Sequence, residues 1–213
     1  MLTANSLYTA GPDCYVNNPS TISESGGYLN LSAVKVPTFD CIGYYTSQYE
    51  TGMVTTNGRF KQTYGAFEVN AKLPAGTTPG LQETFWLYPQ TLTYGNWPAS
   101  GEIDFAEFYS QYLNLDIPYI HYSLSSSDPN VTAYNCTIDP TQFNTYGVDW
   151  TPTSITILYN GNVCLVDHPI NGPAPFNEPF FIALTQALSA PNTNTQFPAT
   201  TKVDWVRAWT QGS

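Results

Sequence analysis

Residues 101–108 run Gly-Glu-Ile-Asp-Phe-Ala-Glu-Phe and place three carboxylates within six positions of an otherwise apolar segment. Only 10% of the chain is charged, so this density demands a structural reason. A helix would set Glu102 and Glu107 about 140° apart, on different faces. A strand alternates its side chains, so Glu102 and Asp104 share one face while Ile103 and Phe105 share the other. Strict alternation then carries Glu107 to the apolar side, where an unpaired carboxylate is costly. A β-bulge around Phe105 and Ala106 resets the alternation. Glu107 rejoins Glu102 and Asp104, and Phe108 returns to the core side.

Two glutamates on one face with an aspartate between them suit glycoside hydrolysis with retention. That chemistry needs two carboxyl groups about 5–5.5 Å apart, one to attack the anomeric carbon and one to shuttle the proton. Three neighbouring carboxyl groups resist full ionisation, so at least one is pushed above its usual range, as a general acid requires. The octet alone also fits a solvated acidic strand edge or a cation site.

The flanking residues narrow the choice. The stretch Trp97-Pro98-Ala99-Ser100-Gly101-Glu102-Ile103-Asp104-Phe105-Ala106-Glu107 closely resembles the active-site signature of glycoside hydrolase family 16. It is similar to the variant with one extra residue before the second glutamate, typical of laminarinase-like members (endo-β-1,3-glucanases). Upstream, Gly58-Arg59-Phe60 and residues 64–76 match the same family. So do Phe85-Trp86-Leu87, residues 146–152 and Val203-Asp204-Trp205-Val206-Arg207. The matches run in family order from about Gly27 to Arg207.

The rest of the chain fits an all-β fold. Short alternating segments are expected as strands at Tyr28–Val34, Met53–Thr56, Ala66–Leu73, Glu83–Tyr88, Tyr119–Leu124, Gly147–Thr151, Ile155–Tyr159, Val163–Val166, Phe180–Ala187 and Lys202–Thr210. Asn160-Gly161 is the clearest hairpin turn. Residues 37–50 read as a polar connection, and no segment holds helical periodicity over three turns. This pattern predicts a two-sheet antiparallel β-sandwich forming one domain over residues 1–213. The resemblance implies a jelly-roll, concanavalin-like architecture with a concave substrate cleft. The net charge of −10 and pI near 4.2 argue against nucleic acid and against an anionic membrane surface, and suit a polysaccharide partner. No transmembrane run exists, and a monomer is expected. Four cysteines without metal-ligand spacing predict two disulfides in an oxidising compartment. Of three possible pairings, Cys14–Cys41 and Cys136–Cys164 are favoured because each pair shares one neighbourhood of the chain. Met1–Asn5 has no apolar signal core, so a mature secreted form is expected.

By resemblance, Glu102 matches the nucleophile, Glu107 the acid/base and Asp104 the assisting carboxylate, expected to hydrogen-bond Glu102. Trp97 is expected as a sugar platform, with Trp86 and His121 lining the cleft. Two departures from the family pattern, Gln186 and the segment 80–84, are also expected to line it. Glu83 within that segment reads as a solvated strand residue rather than a fourth cleft carboxylate. No cofactor is expected for catalysis. The resemblance also implies a structural calcium held by Asp204 and a carbonyl near Gly27, oxygen ligands that suit this ion. The expected activity is endo-hydrolysis of β-1,3- or mixed-linkage glucan. The alternatives are another glycan such as agar or carrageenan, transglycosylation, or a non-catalytic carbohydrate-binding sandwich.

Overall fold

A computed structural model describes residues 12–43, 45–74, 79–122, 130–169 and 172–210, and none of these residues is helical. The chain order is β1 (Cys14–Tyr15), β2 (Ile22–Ser25), β3 (Tyr28–Cys41), β4 (Tyr45–Thr55), β5 (Gly65–Lys72), β6 (Leu81–Pro89), β7 (Glu102–Tyr109) and β8 (Leu115–Asp116). It continues with β9 (Tyr119–His121), β10 (Cys136–Thr137), β11 (Asn144–Trp150), β12 (Ile155–Tyr159), β13 (Asn162–Asp167), β14 (Phe180–Leu188) and β15 (Ala199–Trp209). Residues 123 and 124 of the expected 119–124 strand lie outside the described residues.

The strands follow one hydrogen-bonded path, β10-β8-β7-β6-β14-β4-β3-β15-β5-β11-β12-β13, which folds on itself at the β3–β4 hairpin. Tyr28 to Ala33 pair with β2 or β15, whereas Val34 to Cys41 pair with β4. In β4, residues from Tyr45 to Glu50 pair with β3, and Gly52 to Thr55 pair with β14. Both strands therefore pass from one sheet to the other, a common way to turn a sandwich corner. The pass brings β4 against the N-terminal loop: a Cβ on Gly52 would lie 2.3 Å from the Thr21 carbonyl oxygen, so only glycine fits.

The expected connection over residues 37–50 is mostly strand. Its residues are largely exposed or half-buried, because the hairpin extends past the core, so no apolar face marks it in the sequence. Where a core does lie beneath, alternation is legible: every second residue of β5 is buried, from Gly65 through Ala71. The two layers meet through aromatic edges, with Phe85 against Tyr146 at 5.3 Å and Trp150 against Phe180 at 5.1 Å between ring centroids. Fully burying one such side chain is worth about 1.5–3 kcal/mol.

Both expected disulfides are present. Cys14–Cys41 ties β1, which pairs in parallel with β4, to the end of β3. Cys136–Cys164 joins β10 to β13, the two ends of the strand path, and so clamps the open edges of the sandwich.

Candidate active site

The β6–β7 register contains the expected bulge. Phe85 pairs with Ala106 and Trp86 with Asp104, so Phe105 is the extra residue on β7. Phe105 and Ala106 are both buried, and the alternation resets between Asp104 and Glu107. Gly101 leads into the strand at φ 82°, and a Cβ there would come 2.8 Å from the Phe176 ring. Glycine thus meets both the left-handed backbone and the tight approach that deliver Glu102 to the sheet. The outcome is a cleft lined by Glu102, Asp104 and Glu107, with Gln82, Thr84 and Trp86 from β6, Thr185 from β14, and Trp97 and His121 at its side.

Each carboxylate has its own partners. Trp97 donates its indole N–H to Glu102 Oε2 at 2.5 Å. His121 lies opposite Glu102 in the β7–β9 ladder, and its Nε2 stands 3.0 Å from Asp104 Oδ2. Asp104 Oδ1 is buried with no hydrogen-bond partner among the described residues. Glu107 Oε1 accepts from the Tyr109 hydroxyl at 2.6 Å and from Gln82 Nε2 at 2.9 Å.

Burial pushes all three carboxyls above their ordinary range. The charge of Asp104 adds to the rise at Glu102, and the charge of Glu107 adds to the rise at Asp104. The charge of His121 and the Trp97 hydrogen bond oppose the rise at Glu102. His121 is itself lowered by burial, partly offset by Glu102 and Glu107, and its ring stacks on Tyr119 at 3.9 Å. The cluster therefore holds protons at pH values where isolated carboxylates are ionised. Such a face can hold a charged carboxylate beside a protonated one.

Trp97 is 54% exposed at the cleft rim, free to present a ring face while its N–H holds Glu102. Trp86 is buried in the cleft floor against Tyr15, Met53 and Phe181, so it contributes shape rather than an open platform. Gln186 departs from expectation. It is fully buried on the inner side of β14, where its Nε2 donates to Glu83 Oε1 at 2.5 Å and its Oε1 accepts from Thr201 Oγ1 at 2.8 Å. Glu83 is likewise core, not solvated: burial raises it to about 8. Strand parity explains both, since Gln186 and Glu83 are direct cross-strand partners on the inward face, whereas their neighbours Thr185, Gln82 and Thr84 face the cleft. The segment 80–84 thus lines the cleft as expected, through Gln82 and Thr84, while its Glu83 meets Gln186 in the core. Sequence reasoning missed Tyr109, two residues beyond Glu107 on the same face, which parity alone identifies.

Gly27 and Asp204 line one depression with Glu24 on the opposite sheet. The β5–β15 register skips Asp204, making it the extra residue of a second bulge. The carboxylates of Glu24 and Asp204 are of the oxygen-ligand type that suits calcium. Among the described residues no three His, Cys, Asp or Glu side chains converge on a metal site.

The chain is 33% identical to a keratan-sulfate endo-1,4-beta-galactosidase from Sphingobacterium multivorum over 174 residues, covering 76% of this chain and 40% of that protein. It is 28% identical to a glucan endo-1,3-beta-glucosidase from Cryptopygus antarcticus, covering 92% of this chain and 80% of the relative. The chain therefore spans less than half of the first relative and most of the second. Among solved structures, a non-specific endo-beta-1,3(4)-glucanase superposes with a TM-score of 0.83 at 25% identity, covering 96% of this chain and 83% of that one. The laminarinase catalytic domain of Thermotoga petrophila shares the fold, with a TM-score of 0.79 at 22% identity over 93% of this chain and 82% of that one. The model of glycosyl hydrolases family 16 matches residues 13–207, which contain the whole carboxylate cluster and all the strands but the last two residues of β15, and the chain belongs to that family.

Proposed function

We propose that this chain is a retaining endo-β-glucanase that hydrolyses β-1,3- or mixed-linkage glucan. The observation that carries the reading is the bulged β7, which sets Glu102 and Glu107 on one face of an open cleft with Asp104 between them. In the first step Glu102 attacks the anomeric carbon while Glu107 gives its proton to the departing glycosidic oxygen, and the C–O bond breaks. In the second, Glu107 takes a proton from water as the water oxygen attacks the same carbon and releases Glu102. Two inversions leave the configuration retained. Trp97 and His121 favour the ionised Glu102 needed for attack, and a proton residing on Asp104 removes the charge that opposes it.

One second reading has an observation behind it, the 33% identity to the keratan-sulfate endo-galactosidase. Charge weighs against it: the chain carries a net −10, and no lysine or arginine is among the described residues lining the cleft. A sulfated glycan would meet repulsion where a neutral glucan does not. Sugar release from laminarin, mixed-linkage glucan and keratan sulfate by the wild type and Glu102→Gln separates the readings. Short oligosaccharides from the glucans, by the wild type alone, are expected. Release from keratan sulfate only would overturn the glucan assignment.

The two disulfides and the family's polysaccharide chemistry support action outside the cell. Calcium bound at Asp204, Glu24 and the Gly27 region would be structural, far in sequence from β7. Chelation is expected to lower Tm without removing activity from the folded enzyme, and an unchanged Tm would remove calcium from the account.

A further inference from the structure

Glu107 is held by groups that do not touch the other two carboxylates. Its Oε1 accepts from the Tyr109 hydroxyl at 2.6 Å and from the Gln82 amide at 2.9 Å, and the same amide donates to the Tyr109 oxygen at 3.2 Å. The three side chains close a triangle. Seen from Gln82 Nε2 the two acceptors lie too close together to take one amide hydrogen each, so a single N–H is shared between them, while the one hydroxyl hydrogen of Tyr109 goes to Glu107.

The bulge builds this arrangement. In the shifted register Gln82 stands directly opposite Tyr109, and Thr84 opposite Glu107. Resetting the alternation at Phe105 therefore brings Tyr109, as well as Glu107, to the cleft face. Gln82 belongs to the segment in which this sequence departs from the family pattern.

We propose that Gln82 and Tyr109 are positioning residues that bias Glu107 toward its ionised form and reserve its Oε2 as the oxygen that carries the transferred proton. The inference rests on the reading of Glu107 as the acid/base. Both donors fall on Oε1, so a proton placed there would displace a hydrogen bond, whereas a proton on Oε2 displaces none. Donors aimed at a carboxylate favour its charged form. They make Glu107 a stronger acid in the first step and a weaker base in the second.

The electrostatic setting agrees. Burial raises Glu107, while Tyr109, the charge of His121 and Gln82 pull it down, in that order. Tyr109 is itself raised by burial and by Glu107, so its hydroxyl keeps the donated hydrogen across the working pH range. The titratable groups that face Glu107 are Glu102 and Asp104 on β7, His121 on β9, Asp116 on β8, Tyr159 on β12 and Tyr109 itself, with Tyr134 beside Tyr109. Of these only His121 is able to carry positive charge. Burial lowers His121, so neutral donors carry much of the task of holding a charged Glu107.

Tyr109→Phe keeps the ring and removes one donor, and Gln82→Met keeps the chain length and removes the other. Glutamate labelled with 13C at the carboxyl allows Glu107 to be titrated by NMR, with its resonance assigned as the one lost in Glu107→Gln. Losing one hydrogen bond to a charged acceptor corresponds to roughly one to two pH units. The expected result is a Glu107 titration about one unit higher in Tyr109→Phe, higher again in the double variant, with the basic limb of kcat/KM on laminarin moving by the same amount. A Glu107 titration that is unchanged or lower in a folded Tyr109→Phe, its remaining spectrum superposing on wild type, overturns the inference. Absence of glucan hydrolysis by the wild type would refute the proposed function instead, and the titration would still decide the role of the two donors.

Discussion

Glu83→Gln is predicted to stabilise the protein, and by an amount that grows with pH. Glu83 is 1% exposed between the two sheets, with Oε1 bonded to Gln186 and Oε2 buried without a partner among the described residues. Its value of about 8 against an ordinary 4.5 means that the folded protein keeps a proton that the unfolded chain releases. The folded state then binds more protons than the unfolded state between those two values. Stability therefore falls as pH rises through that window. Each unit corresponds to about 1.4 kcal/mol, so the wild type at pH 7 loses about 3 kcal/mol relative to pH 4 through this one group. Glutamine keeps the acceptor for Gln186 and has no proton to lose. At roughly 2–4 °C per kcal/mol for a domain of this size, Glu83→Gln should gain about 6–12 °C over wild type between pH 4 and pH 7. Calorimetry at both pH values makes the comparison, and packing changes common to the two conditions cancel. An equal Tm difference at pH 4 and pH 7 would refute the reasoning, because it would mean that Glu83 does not take up a proton on folding.

Asp116, raised to about 8 mainly by burial, has the same sign, so Asp116→Asn should also flatten the decline of stability with pH, as read from denaturant midpoints across the range. Trp97→Phe removes the N–H held by Glu102 Oε2 and should lower kcat about 10- to 100-fold with the fold intact; an unchanged kcat would limit Trp97 to sugar contact. Replacing both Cys136 and Cys164 by alanine opens a cross-link spanning 28 residues and should cost about 3–4 kcal/mol in chemical denaturation. A loss well below 1 kcal/mol would show that the sandwich edges hold without the clamp.

The catalytic strand was legible because chemistry and packing made conflicting demands on one short run. Alternation alone would have buried Glu107, and the bulge that resolves the conflict sits at Phe105 as anticipated. The β5 strand was legible for the simpler reason that one face is core and the other is not. The β3–β4 hairpin was not, since its outer residues cover no core and carry no apolar period. Gln186 was misplaced because family position was weighed without parity. Its partner Glu83 is polar, so neither residue signals burial by itself, and only their pairing across β6 and β14 makes the inward position tolerable. Tyr109 was overlooked because a tyrosine in an aromatic-rich chain looks like core packing, although two-residue parity with Glu107 places it on the same face.

The most direct test is to trap the glycosyl-enzyme. Incubation with an activated 2-deoxy-2-fluoro β-1,3-glucobioside slows the second step, and peptide mass spectrometry then locates the adduct. The account predicts one glycosyl group on the peptide containing residues 101–108, attached to Glu102 and absent in Glu102→Gln. An adduct on Glu107 or on another residue, or turnover of β-1,3-glucan that yields the inverted anomer first, would contradict it.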